Sequence, residues 1–81
     1  MKEEEILKKL VQLVSKKTNM PIAKITPTSE FKKDLALDSL TMAELMMEVE
    51  DAFEVTISDE DAEGIKQLKH AVEYIQKRAR K

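Results

Sequence analysis

Asp34-Leu35-Ala36-Leu37-Asp38-Ser39-Leu40-Thr41-Met42-Ala43-Glu44-Leu45-Met46-Met47-Glu48-Val49-Glu50-Asp51-Ala52-Phe53 is the most informative run of the chain. Asp38 is a good helix N-cap, because its side-chain oxygen can accept from a first-turn amide, and it places Ser39 in that turn. At about 100° per residue, Met42, Leu45, Met46, Val49 and Phe53 fall within one arc, with Ala52 at its edge. That arc is a core face. Leu40 and Met47 fall on the opposite side, beside Glu44 and Asp51, with Ala43, Glu48, Glu50 and Glu54 around them. The run therefore predicts a helix from Asp38-Ser39 to about Phe53 or Glu54. It is apolar inside, and outside it shows two isolated hydrophobes ringed by carboxylates.

Working outward, Lys2 to about Lys17 is a second amphipathic stretch. Ile6, Leu7, Leu10, Val11, Leu13 and Val14 recur at three- and four-residue steps, with acids at the start and Lys16 and Lys17 at the end to match the helix dipole. Asn19 and then Pro21 end it. From Thr18 to Leu37 no helical period survives, and Pro21 and Pro27 interrupt the chain. Ile22, Ile25, Phe31, Leu35 and Leu37 are expected to tuck this long connection inward. Beyond the central helix, Ser58 should cap a short acidic helix through Glu63. Gly64 stands where a left-handed C-terminal residue is expected. A last helix, about Gln67 to Ala79, places Leu68, Ala71, Val72, Ile75 and Ala79 on one face, and its start lacks a clear cap. The fold class predicted is all-α, a four-helix bundle of three longer helices and one short one with a long loop between helices 1 and 2.

Composition agrees. Eighty-one residues make one small domain, taken as 1–81, in which a core alone leaves a thin stability margin. There is no cysteine and one histidine, His70, so neither disulfides nor zinc can staple it. No apolar run approaches the roughly 20 residues of a membrane span, and the acidic Met1-Lys2-Glu3-Glu4-Glu5 is the opposite of a secretory signal. A soluble cytoplasmic protein without membrane insertion is expected. The net charge of −2 conceals a strong partition. Residues 1–33 carry +4, residues 34–63 carry −11 without one Lys or Arg, and residues 64–81 carry +5. The anionic block steers basic partners and repels nucleic acid phosphates, so no nucleic acid partner is expected.

Catalysis finds little support: the lone His70 has no obvious acid partner in sequence, and one glycine cannot build a phosphate-binding loop. Asp59, Asp61, Glu63 and Gly64 fit the first positions of a calcium loop. His70 stands where that loop needs its bidentate Glu, so no metal site is assigned. Ser39 is the notable group. A hydroxyl at a helix N-terminus after a long loop is exposed and close to unpaired N–H groups, which favour an attached anion such as a phosphodiester. The plainer alternative is that Ser39 only helps cap the helix.

Asp38-Ser39-Leu40 resembles the Asp-Ser-Leu motif of acyl carrier proteins. Ala43-Glu44-Leu45 and Glu50-Asp51-Ala52-Phe53 resemble that family's second helix. Ile57-Ser58-Asp59-Glu60-Asp61-Ala62 is similar to its third helix, and Ala71-Val72-Glu73-Tyr74-Ile75 to its last. The resemblance covers nearly the whole chain. It implies a non-enzymatic carrier, a monomer, that holds acyl groups as thioesters on 4′-phosphopantetheine taken from coenzyme A and joined to Ser39. Asp38 would assist a phosphopantetheinyl transferase. Leu40, Ala43 and Met47 would be apolar contacts for partners, and Glu44, Glu50, Asp51, Asp59 and Glu63 would meet basic patches on fatty acid synthase enzymes and acyltransferases. Met42 and Met46 would repack around an acyl chain lying between the helices, the plainer alternative being that they only fill the core. Thr41, Ala36 and Ser58 depart from the family's usual acid, glycine and proline. Leu37-Asp38-Ser39-Leu40 also resembles polyketide-type carriers, so a specialised carrier for a polyketide or other lipid pathway is the alternative, and an unmodified acidic interaction module the alternative from another class.

Overall fold

The computed structural model describes residues 2–78. Its elements are α1 (Glu3–Thr18), a 3₁₀ turn (Ile22–Lys24), α2 (Ser39–Phe53), α3 (Asp59–Gly64) and α4 (Leu68–Arg78). All four predicted helices are present, with ends within a residue or so of expectation where described. The C-terminal end assigned to Ala79 lies outside the described residues.

One hydrophobic core joins them. Ile6, Leu10 and Val14 of α1 are fully buried, as are Leu45 and Val49 of α2 and Leu68 and Ile75 of α4. α1 packs along both α2 and α4, so its apolar stripe spans the seam between them. α1 stops where Asn19 turns left-handed at φ 61° and donates its N–H to the Ser15 carbonyl at 2.8 Å. An Asn tolerates that conformation well.

The long connection is more ordered than its sequence suggests. It holds the 3₁₀ turn and an isolated antiparallel bridge between Glu30 and Gln67. Phe31 N–H donates to the Lys66 carbonyl at 3.0 Å, Leu68 N–H to Ser29 at 3.2 Å, and Lys69 N–H to Pro27 at 2.8 Å. Residues 27–31 are thus stitched to the start of α4. Ile25, Phe31, Leu35 and Leu37 are buried as expected. Ile22 is not. It is 54% exposed, because it opens the turn at the rim of a shallow groove formed with Leu7, Val11 and Ile25, and Ile25 takes the inward position.

Two further expectations change. Gly64 is the last residue of α3 and does not turn left-handed; the helix ends instead because Ile65 goes extended (φ −89°) and buries its side chain. Among the described residues, the left-handed ones are Asn19, Ala36 and Glu54. The uncapped start of α4 also acquires a partner. His70 Nδ1 accepts from the N–H groups of Lys66 (3.4 Å) and Gln67 (3.3 Å), so the side chain one turn inside the helix satisfies amides at its entrance.

Candidate functional site

The entrance to α2 is built by the loop before it. Leu35 and Leu37 are buried, and Leu37 N–H donates to the Phe31 carbonyl at 3.0 Å. Asp34 N–H and Leu35 N–H both donate to the Glu30 carbonyl, at 2.9 and 3.1 Å, while Asp34 Oδ2 accepts from Glu30 N–H at 2.8 Å. These bonds fix a tight turn whose two leucines face inward. The next residues, Asp38 and Ser39, are left at the surface.

Asp38 caps α2 as expected: Oδ1 accepts from Thr41 N–H at 2.7 Å. That bond from the Thr41 backbone, helped by the Thr41 hydroxyl, holds the Asp38 carboxyl below the usual carboxylate range. Ser39 follows as the first residue of the helix and is exposed. The first backbone bond of α2 is Met42 N–H to the Asp38 carbonyl at 2.9 Å. The N–H groups of Ser39 and Leu40 therefore have no acceptor within the helix. An exposed hydroxyl beside two open amides fits a phosphodiester-linked group, since those donors and the helix dipole favour negative charge there.

One face of α2 continues from this point. Leu40 is 70% and Met47 66% exposed, two turns apart, with Ala43 and Glu44 exposed between them and Asp51 exposed one turn on. Apolar groups of this size left in water beside carboxylates form a surface that a partner can dry. Asp59 and Glu63 are exposed on α3. Glu50 differs from these acids. It is half-buried, and Oε2 accepts from Ile57 N–H at 2.8 Å, which holds the connection between α2 and α3 against the helix.

Several partners lie across helix junctions and have no signature in the sequence. Lys17, at the end of α1, bridges Glu48 at 2.5 Å and Glu44 at 3.5 Å. The Glu48 bond first, and then the two negative charges, raise the lysine above its ordinary value. The Tyr74 hydroxyl donates to Asp61 Oδ2 at 2.7 Å, and the Arg78 guanidinium lies 3.7 Å from the same oxygen and 4.8 Å from the Tyr74 ring centroid. Asp61 is accordingly held below the usual carboxylate range, by the Tyr74 bond first, and Tyr74 is pushed above that of a free phenol. Residues 59–64 are helical rather than a ligand loop, and no group of three potential metal ligands converges among the described residues.

The two core-face methionines are placed differently. Met46 is buried, whereas half-buried Met42 lines a cavity of about 270 Å³ together with Phe31 and Ile65. Met42 stands one helical turn from Ser39, and the cavity lies between the long connection and the segment following α3.

Comparison with known proteins gives this geometry a family. Residues 8–75 match the protein family described as "Phosphopantetheine attachment site". An acyl carrier protein of Rubrobacter xylanophilus is 40% identical over 75 residues, which span 93% of each chain. Among solved structures, that of the acyl carrier protein from Enterococcus faecalis superposes with a TM-score of 0.82 at 37% identity, over 96% of this chain and 99% of the other. With the matched residues enclosing all of α2 and α3 and most of α1 and α4, the chain belongs to the acyl carrier proteins of the phosphopantetheine-attachment family, which carry acyl groups and are not enzymes.

Proposed function

We propose that Ser39 is the residue that bears 4′-phosphopantetheine, and that the outer face of α2 is where the loaded protein meets its enzymes. The observation that carries this reading is the exposed Ser39 at the first position of α2, capped from behind by Asp38 and beside the open amides of Ser39 and Leu40. The bound group supplies a terminal thiol that holds an acyl chain as a thioester. The protein's own contribution is positional. Asp38 fixes the helix start and adds a negative charge beside the serine for a basic transferase to recognise. The buried leucines at 35 and 37 keep the serine from folding back into the core.

Leu40, Ala43 and Met47 offer the apolar centre of a docking surface, with Glu44, Asp51, Asp59 and Glu63 as its anionic rim. Such a rim accelerates encounter with basic surfaces more than it deepens affinity, which suits a carrier that must leave each enzyme. The natural partners are a phosphopantetheinyl transferase and the enzymes of fatty acid synthesis, in the cytoplasm, with residues 1–81 acting as one monomeric unit. Glu50 belongs to this set by sequence; its bond to Ile57 N–H gives it a separate structural duty.

The test is direct. Incubation with coenzyme A, magnesium and a broad-specificity phosphopantetheinyl transferase should add the mass of one phosphopantetheinyl group, measured on the intact protein. Ser39→Ala should abolish the gain while leaving thermal stability nearly unchanged. A gain that persists in Ser39→Ala would refute the assignment. Reversing Glu44 and Asp51 to Lys should slow loading at low salt, and equal rates would remove those acids from the docking surface.

A further inference from the structure

The anionic rim of α2 is uneven, and the cause lies in α1. Lys17, in the last turn of α1, reaches across the helix junction to Glu48 Oε2 at 2.5 Å and Glu44 Oε1 at 3.5 Å. The backbone beneath it is tied down on both sides. The Thr18 hydroxyl donates to the Val14 carbonyl at 2.8 Å, the Ser15 hydroxyl to the Met20 carbonyl at 2.6 Å, and Asn19 N–H to the Ser15 carbonyl at 2.8 Å. Only 24% of the lysine side chain is exposed, so its ammonium is held at the junction rather than swung out into solvent. The Glu48 bond first, and then the charges of both acids, favour its ionised form.

At about 100° per residue, exposed Leu40 and Met47 form a central line along the outer face of α2, with Asp51 close to it. Glu44 and Glu48 lie to one side of that line, and Ala43, Glu50 and Glu54 to the other. The bond from Ile57 N–H to Glu50 lays the connection to α3 on this second side. Lys17 therefore cancels one of the two charges on the α1 side. On the α3 side Glu54, Asp59 and Glu63 are exposed, and among the described residues none of them enters an ion pair. A half-exposed pair such as Lys17–Glu48 contributes little to stability. Its larger consequence is at the surface: a cation approaching Glu44 or Glu48 meets an ammonium already in place. Like charges so placed repel, and they fix the orientation in which two surfaces meet.

We propose that Lys17 is a specificity-determining residue of the docking face, closing the α1 side of α2 to basic groups. Enzymes then meet the carrier with their cations over Glu54, Asp59 and Glu63 and their apolar contact over Leu40 and Met47. The partner that fits has basic side chains on one side only of an apolar centre, and a surface basic on both sides is disfavoured. This rests on the reading of Ser39 and the α2 face given above, and the experiment keeps the claims apart.

The rate of loading by a broad-specificity phosphopantetheinyl transferase, with coenzyme A and magnesium, is followed by intact mass and expressed as kcat/KM at low salt. No mass gain on the parent protein refutes the attachment reading and this claim with it. A gain indifferent both to salt and to Glu63→Gln refutes the docking face, and again this claim. Lys17→Gln should raise kcat/KM about two- to fivefold, the range that one exposed ion pair supplies. Lys17→Met, of similar length and equally uncharged, should do the same, and Lys17→Arg, which keeps the cation, should stay at or below the parent. Lys16→Met makes the same change in net charge at an exposed lysine outside any ion pair, and its effect should be less than half as large. Double-variant cycles then locate the effect. Glu44→Gln should slow loading at least twofold more in the Lys17→Gln background than in the parent, whereas Glu63→Gln should slow both by the same factor. These differences should shrink at 1 M salt. Far-ultraviolet circular dichroism shows that each variant is folded. An unchanged or lower rate in both neutral Lys17 variants, an equal rise from Lys16→Met, or equal coupling of Lys17 to Glu44 and Glu63 overturns the claim and leaves the attachment reading intact.

Discussion

Replacing Ala36 with glycine should stabilise the protein, although it removes a side-chain atom. Ala36 holds φ 53°, and it is locked there by bonds on either side, from Leu35 N–H to Glu30 and from Leu37 N–H to Phe31. A left-handed backbone costs an L-residue roughly 1–2 kcal/mol, because Cβ crowds the following carbonyl. Glycine avoids that cost but loses about 0.4–1 kcal/mol through the greater freedom of the unfolded chain. The methyl group is exposed, so no packing is forfeited. The balance is a gain of about 0.5–1 kcal/mol, or roughly 2–8 °C in Tm for a domain of this size. The reverse holds at Gly64, which is helical with a negative φ and has nothing within 4 Å of where a Cβ would sit. Gly64→Ala should therefore add about 0.4–1 kcal/mol by restricting the unfolded chain. The two gains should sum in the double variant, since each is local to its own backbone. Urea and thermal unfolding followed by circular dichroism measure both, with an unchanged m-value showing that the native and denatured ensembles are otherwise the same. A lower Tm for Ala36→Gly would refute the reasoning.

Three other substitutions probe the contacts that join the helices. Tyr74→Phe removes the chief cause of the lowered Asp61 carboxyl, whose contribution is present above the unfolded value of about 4 and lost as pH falls through the folded one. The variant's stability deficit should therefore be present at pH 7 and shrink as the acid limb is descended below about pH 4; a deficit that does not change over that limb would disprove the link. His70→Ala deprives the amides of Lys66 and Gln67 of their acceptor and should cost about 0.5–1.5 kcal/mol, with faster hydrogen exchange confined to residues 65–70. Uniformly faster exchange would contradict a local cap. Glu50→Ala should destabilise by about 1 kcal/mol through the lost Ile57 bond, while Glu50→Gln, which keeps an acceptor and drops the charge, should recover most of it. If both variants unfold at the same urea concentration as the parent, Glu50 has no structural duty.

Much of this molecule was legible because local pattern and tertiary demand agree in it. The α2 wheel separates buried Leu45, Met46, Val49 and Phe53 from exposed Leu40 and Met47, since a helix of period 3.6 leaves only one way to hide these four apolar residues together. The Asp38 cap was equally readable, being a bond between residues three apart. Ile22 and Gly64 depart from expectation for one reason. Hydrophobicity and glycine each suggest a role, but position decides it, and Ile25 and Ile65 had taken the inward places.

The four helices, the serine at the head of α2 and the thirty-residue anionic block are all readable from the chain, because each depends on neighbours within a few residues. Which distant groups face one another depends on how the helices pack. Lys17 reaches across to Glu44 and Glu48, Tyr74 and Arg78 hold Asp61, and residues 27–31 lie against 66–69. The last of these places Lys32, Lys33 and Lys66 around one cavity, although more than thirty residues of chain separate them. Packing an apolar core fixes such meetings, since the backbone must satisfy its buried hydrogen bonds wherever the hydrophobic contacts leave it.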